Sequence, residues 1–396
     1  MTIYNVCHVS TMTNWGGVEW ILRDYLTSNK KSSFFHMLMT TSSSSHVMKP
    51  LLEAKVSVFQ PERKFHFDPR SIFQMSNFLK LNNVRLVHGY NVKGVAWGGL
   101  ASFLANVPVF IGGEHGSVWS VKSLDFLLNY LAYKKSNIVL VNSKAAQRLI
   151  CYRYKINQEK VRILYNLVGE VSSKKMNILQ NEFRLGSKFI VGSIGRLVPQ
   201  KGYDILIESA KEICSLRKDI AFVVIGGGDE FPSLQKKIFE HELQENFFLT
   251  GWRDNARDLL QEFDIFVSTS IFEPFGNVLI EAAKSEIPVI APRVDGIPEA
   301  VEDGETGILI QPTIRIHKKK SNKLPSKIVI DSEIKDPHQI DSKELSKKIL
   351  FLIENPSLMK QLGENGKKRA NSLFSLERYS SELENIYKTE LRNTLK

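Results

Sequence analysis

Two cations flank a glycine-bounded turn at residues 195–203, which read GRLVPQKGY. Arg196 offers a planar guanidinium and Lys201 a compact ammonium, and together they suit a diphosphate. A β-rich run ends at Gly195 and a helical pattern begins at Tyr203, so the turn joins a strand to a helix. Lysine and arginine are most often solvated surface charges, but the glycines on both sides favour a phosphate-binding turn.

Two glutamates bound the segment 273–281, which reads EPFGNVLIE. Pro274 excludes a helix at Glu273, so Glu273 lies in a loop and a helix begins near Gly276. The N–H groups of a helix N-terminus can bind phosphate or sugar hydroxyls. Glu281, about one turn into the helix, can accept hydrogen bonds from a diol. Such a carboxylate can also complement the helix dipole, but this does not explain Glu273, which precedes the helix.

A third loop follows the first predicted strand and contains residues 15–19, WGGVE. Gly16 and Gly17 allow backbone N–H groups to approach an anion at a helix N-terminus. Because two glycines also suit an ordinary tight turn, this loop alone carries little weight.

Short β-rich runs alternate with helical patterns through the first half of the chain. The pattern predicts strands at 3–9, 34–39, 56–59, 84–88, 107–111 and 138–141, and helices at 17–26, 72–81, 92–104, 124–133 and 143–152. Such alternation indicates a parallel sheet covered on both faces.

The alternation lapses into a polar linker at 171–187 and then begins again. Further strands are predicted at 188–194, 221–225, 247–249, 265–268, 288–291 and 307–310, with a helix at 203–216. We therefore predict two doubly wound domains, residues 1–170 and 188–375, with ligands outside the carboxyl ends of the strands. Residues 376–396 are predicted to form a helix that packs back toward the first domain.

A basic stretch at 313–335 interrupts the second domain before a helix predicted at 342–352. Two short β runs surround a basic turn containing Pro325, so we predict an exposed hairpin. Charged hairpins between complete elements tolerate change, and the segment is expected to be dispensable for chemistry.

The positive charge is concentrated in the first half of the chain. Residues 1–170 contain 20 Lys and Arg against 9 Asp and Glu, whereas residues 171–396 contain 33 of each, which gives the net charge of +11. This asymmetry suits an anionic membrane surface, an acidic acceptor or nucleic acid, or it is an ordinary basic surface. The cations Lys134, Lys135, Arg148, Arg153 and Lys155 are candidates for a membrane-facing surface.

The composition is typical of a soluble globular protein, with 43% apolar and 24% charged residues. No apolar run approaches the roughly 18 residues of a membrane span, and the N-terminus does not resemble a secretion signal. Three dispersed cysteines are expected to be reduced core residues. These observations predict a cytoplasmic protein, with peripheral attachment to the inner face of the membrane left open.

Together these motifs resemble glycosyltransferase family four, a group of retaining enzymes. The spacing from Glu273 to Glu281 is the signature of that family. Family-like neighbours occur on both sides of it and in the first half: Gly251-Trp252, residues 286–291, residues 295–299, residues 304–307, residues 16–19, Glu114-His115-Gly116, residues 142–145 and Tyr165-Asn166. The resemblance implies a GT-B fold, with two Rossmann-like doubly wound parallel-sheet domains facing across a cleft.

The resemblance also implies roles for particular residues. Glu281 is expected to bind the donor ribose, and Glu273 is expected to lie beside the donor sugar. Arg196 and Lys201 are expected to neutralise the leaving phosphate. Further contacts would come from the His115 side chain at the sugar and from backbone amides of Gly17, Phe275, Gly276, Asn277 and Val278.

The expected reaction moves a sugar, with retention, from a nucleotide sugar to a glycan or lipid-linked acceptor in cell-envelope or polysaccharide biosynthesis. No Asp-x-Asp pair occurs in the sequence, so no metal and no other cofactor are expected. One alternative is an epimerase or hydrolase of nucleotide sugars with the same fold. Another is a membrane- or nucleic-acid-binding protein with a degenerate transferase fold. Arg196, Lys201, Glu273 and Glu281 are all present, which argues against a degenerate fold. The sequence also lacks the interleaved basic and aromatic residues that are typical of proteins that bind single-stranded nucleic acid.

Overall fold

The computed structural model describes residues 3–28, 32–64, 68–116, 118–119, 123–171, 176–316 and 324–394. The chain divides into two compact units. Unit 1 comprises residues 1–169 and 375–396, and unit 2 comprises residues 170–374. The C-terminal segment therefore belongs to the same unit as the N-terminus. Part of the predicted linker, residues 172–175, lies outside the described residues.

Unit 1 alternates strands and helices along the chain. Its strands are β1 (Tyr4–Met12), β2 (Phe34–Ser43), β3 (Ser57–Phe59), β4 (Val84–Gly89), β5 (Val109–Glu114), β6 (Ile138–Val141) and β7 (Val161–Ile163). Its first helices are α1 (Gly17–Ser28), α2 (Ser45–Glu53), α3 (Pro69–Leu81), α4 (Asn91–Ala105), α5 (Ser123–Lys135) and α6 (Lys144–Tyr154). Among the described residues, the strands form one sheet in the order β3-β2-β1-β4-β5-β6-β7, with every pair parallel.

Helix α4 shows how closely the helices pack on this sheet. A Cβ added at Gly94 would lie 2.2 Å from the carbonyl oxygen of Val9 in β1. Gly98 meets the side chain of the same valine, so the small residues let the helix approach the strand. The centre of α4 is buried, which explains why its sequence is apolar on all sides rather than amphipathic.

Unit 2 repeats the architecture. Its strands are β8 (Phe189–Ile194), β9 (Ile220–Ile225), β10 (Phe247–Leu249), β11 (Ile265–Val267), β12 (Val289–Pro292) and β13 (Gly307–Ile310). Its helices are α7 (Ile178–Glu182), α8 (Tyr203–Leu216), α9 (Phe231–Glu240), α10 (Asn277–Lys284), α11 (Ile297–Ala300), α12 (Ser342–Glu354) and α13 (Pro356–Leu373). In the described part, the sheet order is β10-β9-β8-β11-β12-β13, again with parallel pairs. The last helix of the chain, α14 (Leu376–Thr394), lies in unit 1.

These two parallel sheets confirm the predicted fold class of paired Rossmann-like domains. Some elements were not predicted from the sequence, among them the edge strand β7 and helix α2, which contains Pro50. Strand β7 is only three residues long and helix α2 contains a residue that usually ends helices, so the local signal of each is weak.

The segment after β13 differs from the predicted exposed hairpin. Strand β14 (Ile314–Arg315) pairs with β17 (His338–Gln339), and β15 (Ile328–Ile330) pairs with β16 (Glu333–Lys335), so the two predicted β runs have different partners. The basic residues 317–323 lie outside the described residues. The expectation of exposure is wrong for β15, because Ile328, Val329 and Ile330 are all buried.

Candidate active site

The topology of unit 2 places two loops side by side at one end of its sheet. Strands β8 and β11 are neighbours in the sheet, and the direction of the strand order reverses between them. In doubly wound sheets, ligands bind at this point, outside the carboxyl ends of the strands. The loop after β8 carries Arg196 and Lys201, and the loop after β11 carries Glu273.

Hydrogen bonds hold these two loops together. Ile271 N–H donates to the carbonyl of Gln200 over 2.8 Å, and Thr269 Oγ1 donates to the carbonyl of Lys201 over 2.8 Å. Gly202 has a φ of +62°, and a Cβ there would lie 2.5 Å from the carbonyl oxygen of Thr269. Glycine is therefore required at this crossing, both for its conformation and for space.

The central contact of the site joins Lys201 to Glu273. The ammonium Nζ lies 2.5 Å from Glu273 Oε2, and the two side chains are only 16% and 14% exposed. Ser270 Oγ donates to the same carboxylate oxygen over 3.3 Å. Partial removal from water strengthens the attraction between such charges. The arrangement presents a cation and a carboxylate together at the carboxyl end of the sheet.

A buried carboxylate supports the backbone of Glu273. Asp295 is 5% exposed, and its Oδ2 accepts a hydrogen bond from Glu273 N–H over 3.1 Å. Burial raises the pKa of Asp295 to about 8, although hydrogen bonds from the N–H groups of Val329 and Glu273 act in the opposite direction. In the sequence, Asp295 stands out only as part of a family-like motif, which predicts no role for it.

Helix α10 begins directly after the loop that carries Glu273. Gly276 precedes the helix with a φ of +88°, and a Cβ there would lie 2.8 Å from Leu279 Cδ1. Phe275 is buried and its ring meets that of Phe374 edge to face, with centroids 5.5 Å apart. The aromatic anchor and the glycine together set where the helix starts. The N-terminus of α10 therefore lies beside the loop of Glu273.

Glu281 lies in the second turn of α10 and pairs with Arg257, which the sequence interpretation missed. Arg257 Nη2 lies 2.6 Å and Nε 3.2 Å from Glu281 Oε1. Both guanidinium bonds go to one oxygen, so Oε2 can accept from hydroxyl groups. Arg257 stands in an irregular segment before the 3-10 turn Asp258–Glu262, where no motif distinguished it from a surface arginine.

Arg196 is not brought into contact with these charges. It is exposed, and it makes no ion pair within the part of unit 2 that the structure describes. Its carbonyl accepts a hydrogen bond from Val198 N–H over 2.9 Å, which shapes the loop after β8. The structure thus joins Lys201 to Glu273 and leaves Arg196 at the solvent-facing side of the same loop.

Three consecutive glycines after β9 allow the Arg196 loop to pack closely. A Cβ at Gly226 would lie 2.0 Å from the carbonyl oxygen of Gly195, and one at Gly228 would lie 2.3 Å from that of Leu197. The carbonyl of Gly227 accepts a hydrogen bond from Leu197 N–H over 2.9 Å. The GGG sequence was the available signal for this contact, because only glycine permits such backbone approach.

In unit 1, Gly17 is the first residue of α1 and is exposed. The third residue of that helix, Glu19, folds back on the helix N-terminus. Burial raises the pKa of Glu19 to about 7, while hydrogen bonds from the backbone of Glu19 and Gly16 act against that rise. An acidic side chain at this position complements the helix dipole.

His115 follows β5 and its ring stacks on Tyr90, with centroids 5.5 Å apart and planes at 17°. Burial lowers the pKa of His115 to about 4. The imidazole is therefore neutral near pH 7. The preceding Glu114 accepts a hydrogen bond from Gly116 N–H over 2.6 Å and so shapes the turn that carries His115.

Behind His115 lies a buried network of histidines and tyrosines, which the sequence interpretation did not detect. The ring of His88 stacks on the ring of Tyr90, with centroids 4.0 Å apart. His88 Nδ1 lies 2.7 Å from the hydroxyl of Tyr387 on α14. His8 links the hydroxyl of Tyr90, at 3.1 Å, to His36, at 3.0 Å. His8, His36, His88 and Tyr387 come from four separate elements, β1, β2, β4 and α14, and no local spacing relates them.

The described parts of the chain contain neither a cluster of metal-binding side chains nor a helix that could cross a membrane. Groups of three or more His, Cys, Asp or Glu that could hold a metal ion are absent from the described parts of the chain. Among the helices that the structure describes, none is both long and apolar enough to span a bilayer. The three cysteines are present as free thiols.

Comparison with known families identifies the chain. The family described as Glycosyl transferases group 1 matches residues 175–324, and the family described as Glycosyltransferase Family 4 matches residues 15–169. The chain belongs to glycosyltransferase family four. The predicted resemblance to this family is confirmed.

The names of two relatives of the chain refer to phosphatidylinositol and to capsular polysaccharide. The phosphatidylinositol N-acetylglucosaminyltransferase GPI3 subunit of Saccharomyces cerevisiae is 30% identical over 194 residues, which is 48% of this chain and 42% of that protein. The chain thus aligns with less than half of that relative. The capsular polysaccharide biosynthesis glycosyltransferase CapM of Staphylococcus aureus is 25% identical over 83% of this chain and 82% of its own length.

Solved structures confirm the GT-B fold of this glycosyltransferase. Anabaena Alr3699/HepE in complex with UDP and glucose superposes with a TM-score of 0.81 at 18% identity, covering 98% of this chain and all of the other. At this identity the likeness establishes the fold alone. The roles assigned to His115, Arg196, Lys201, Glu273 and Glu281 stay predictions.

Proposed function

We propose that this glycosyltransferase moves a sugar, with retention, from a nucleotide sugar to a glycan or lipid-linked acceptor in cell-envelope or polysaccharide biosynthesis. The contact between Lys201 and Glu273, 2.5 Å long at the carboxyl ends of β8 and β11, carries the proposal. It places a cation for phosphate and a carboxylate for a sugar on adjacent loops. The capsular and lipid-directed names of the relatives support the acceptor class.

Separate parts of the donor are assigned to separate elements, most of them in unit 2. Glu281, held by Arg257, binds the ribose hydroxyls, because a carboxylate accepts from both hydroxyls of a diol. The amides of Phe275, Gly276, Asn277 and Val278 at the start of α10 hold sugar hydroxyls and the diphosphate. Lys201 and Arg196 neutralise that diphosphate. In unit 1, His115 is assigned to the donor sugar and Gly17 to an amide contact.

The reaction follows from these contacts. The bond between the anomeric carbon and the phosphate oxygen breaks, and negative charge grows on the leaving diphosphate. Lys201, Arg196 and the amides at the start of α10 stabilise that charge through preorganised electrostatics. A donor phosphate oxygen takes the proton of the attacking acceptor hydroxyl on the same face of the sugar, which retains the configuration. No pair of carboxylates of the glycosidase kind is required.

We propose that this charge stabilisation needs no metal ion. In this proposal, the cations and helix amides take the role in which a divalent ion would otherwise neutralise the diphosphate. Turnover in EDTA tests the proposal directly: the rate is expected to match that in Mg²⁺, and a rate that depends on added Mg²⁺ contradicts it.

Uridine diphosphate sugars are the first donors to test, since a similar fold was solved with UDP and glucose. Thermal unfolding with a panel of nucleotide sugars identifies the donor, because a ligand at 100 times its Kd adds about 2.7 kcal/mol. Product analysis with and without glycan acceptors then separates transfer from the alternative reactions. Conversion of the donor to an epimer would indicate an epimerase, and a donor hydrolysis rate that acceptors do not change would indicate a hydrolase.

A second part of the proposal concerns an anionic membrane surface. Leu124, Leu127 and Leu131 of α5 are 53%, 51% and 44% exposed, and their spacing places them on one helix face. Lys134 and Lys135 follow at the end of the same helix. We name these five residues the α5 surface. Exposed leucines beside lysines match the apolar and electrostatic parts of binding at a lipid interface.

Vesicle co-sedimentation tests the α5 surface at low and high salt. Anionic vesicles are expected to bind the protein more than neutral ones do, and salt is expected to weaken binding because it screens surface charge beyond about 8–10 Å. Leu127→Glu is expected to reduce binding, whereas Leu216→Glu, at an exposed site in unit 2, serves as the matched control. Equal binding to neutral and anionic vesicles would contradict the proposal.

A further inference from the structure

The segment that interrupts unit 2 is built into its interior through strand β15. Ile328, Val329 and Ile330 are 0%, 5% and 3% exposed. The turn between β15 and β16 uses Asp331 and Ser332 in the left-handed region, with φ of +51° and +67°. Lys327 Nζ lies 2.9 Å from Asp336 Oδ1, which joins the two ends of this hairpin. The hairpin of β15 and β16 is therefore a structured part of unit 2.

Both backbone polar groups of Val329 are directed to Asp295. Val329 N–H donates to Asp295 Oδ1 over 2.8 Å, and Val329 accepts from Asp295 N–H over 2.8 Å. Asp295 has a φ of +45°, a conformation that most residues avoid. The paired hydrogen bonds with β15 hold it in that conformation.

The loop of Asp295 and Gly296 also forms hydrogen bonds with the backbone of Glu273. Asp295 Oδ2 accepts from Glu273 N–H over 3.1 Å, and Gly296 N–H donates to the carbonyl of Glu273 over 3.2 Å. A Cβ at Gly296 would lie 2.1 Å from the carbonyl oxygen of Pro274, so glycine is required for this contact. Both backbone polar groups of Glu273 are thus held by residues 295–296.

We infer that strand β15 is a positioning element for the active site: through Val329 and Asp295 it fixes the backbone of Glu273, whose side chain pairs with Lys201. The inference rests on the proposed function for its catalytic consequence, but the positioning itself is a separate claim. A displacement of about 1 Å in a reacting geometry costs on the order of 100-fold in rate. The inserted segment is then required for chemistry, which reverses the expectation from the sequence that it is dispensable.

The test compares Val329→Pro with Val329→Ala. Proline removes the N–H that reaches Asp295, whereas alanine keeps it and trims the side chain. Asp295→Asn is the second variant, because one of its two N–H contacts must then face an NH₂ group. Arg315→Ala is the control within the same segment, since its side chain is 70% exposed and pairs only with the surface residue Asp336 in the described structure.

Amide hydrogen exchange measures the positioning without any assay of turnover. In Val329→Pro and Asp295→Asn, peptides covering residues 271–276 are expected to exchange faster than in Val329→Ala and Arg315→Ala. Unchanged exchange in these peptides would overturn the inference, whatever the activity. Faster exchange in an enzyme whose wild type turns over no nucleotide sugar would support the positioning and refute the proposed function.

Kinetics then measure the consequence. With the donor found by the panel, Val329→Pro and Asp295→Asn are expected to lower kcat by about 10- to 100-fold with little change in KM. Thermal stabilisation by UDP is expected to persist in both, because Glu281 and Arg257, which pair with each other, lie outside the loop of Asp295. If both variants lose the stabilisation by UDP together with activity, the segment is merely structural and the inference is wrong.

Discussion

The polar groups of the two units are assembled in different ways. In unit 2, Lys201 and Glu273 lie on loops directly after neighbouring strands, and they meet as a charged pair 2.5 Å apart. In unit 1, His8, His88 and Tyr90 lie inside the unit and connect through stacking and neutral hydrogen bonds. The pair in unit 2 presents charge at the carboxyl end of a sheet, whereas the residues in unit 1 form a buried core beside the turn that carries His115.

The electrostatics follow the same division. Burial lowers the pKa of His36 and of His115 to about 4, so both are neutral in the physiological range. Burial likewise lowers the pKa of His8 and of His88 well below the ordinary value. The charged loops of unit 2 are therefore suited to stabilising a leaving anion, and the buried network behind His115 in unit 1 is suited to holding a shape. Substitutions in unit 2 should therefore change rate, and those in the unit 1 network should change stability.

The largest effect is expected at Lys201. Lys201→Ala removes the cation beside the leaving diphosphate, so kcat is expected to fall by about 10²–10³, the scale of losing one preorganised donor. Steady-state kinetics measure it, with Lys236→Ala as the control because that lysine is 76% exposed. An unchanged kcat in Lys201→Ala would show that Lys201 does not stabilise the leaving diphosphate. It would also contradict the proposed difference between the two units.

A smaller effect, of another kind, is expected at Glu281. Ribose does not change during the reaction, so Glu281→Ala should weaken donor binding in the ground and transition states alike. KM is expected to rise by about tenfold while kcat falls less. Arg257→Ala should show the same pattern, since it holds the carboxylate at 2.6 Å. A loss confined to kcat would instead place Glu281 at the reacting centre.

In unit 1, Tyr387→Phe removes the hydroxyl that lies 2.7 Å from His88 Nδ1. A buried partner left without its hydrogen bond costs about 1–3 kcal/mol, so the free energy of unfolding should fall by that amount. Denaturant unfolding measures it, and Tyr152→Phe, at a residue that is 44% exposed, is the matched control. The kcat is expected to stay near that of the wild type. A large loss of kcat without a loss of stability would show that the network takes part in chemistry.

The protonation of Asp295 is expected to make the stability of unit 2 depend on pH. The pKa of Asp295 is about 8 in the folded protein, above its ordinary value of 3.8. Between these values the folded state holds a proton that the unfolded state has released, so stability falls as pH rises from about 4 to 8. Melting temperatures measured across this range should fall less steeply for Asp295→Asn than for the wild type. Parallel curves for the two proteins would contradict the assignment.

Much of the local structure could be predicted from the sequence, because alternation and helical periodicity are local signals. The bounds of α8, Tyr203–Leu216, and of β13, Gly307–Ile310, match the predicted ranges. Pro274 and Gly276 likewise indicated that α10 begins after Glu273, and it begins at Asn277. Each of these features depends on residues only a few positions apart.

The family, the two doubly wound sheets, the loops that carry Lys201 and Glu273, and the helix that carries Glu281 could be predicted from the sequence, because strand ends and motif spacing are local features of the chain. The contacts of Arg257 with Glu281, of Tyr387 in α14 with His88, and of Val329 with Asp295 are seen only in the folded structure. The paired residues are 24, 299 and 34 positions apart. No period of a helix or strand relates residues at such distances, so the packing of whole elements alone determines which of them meet.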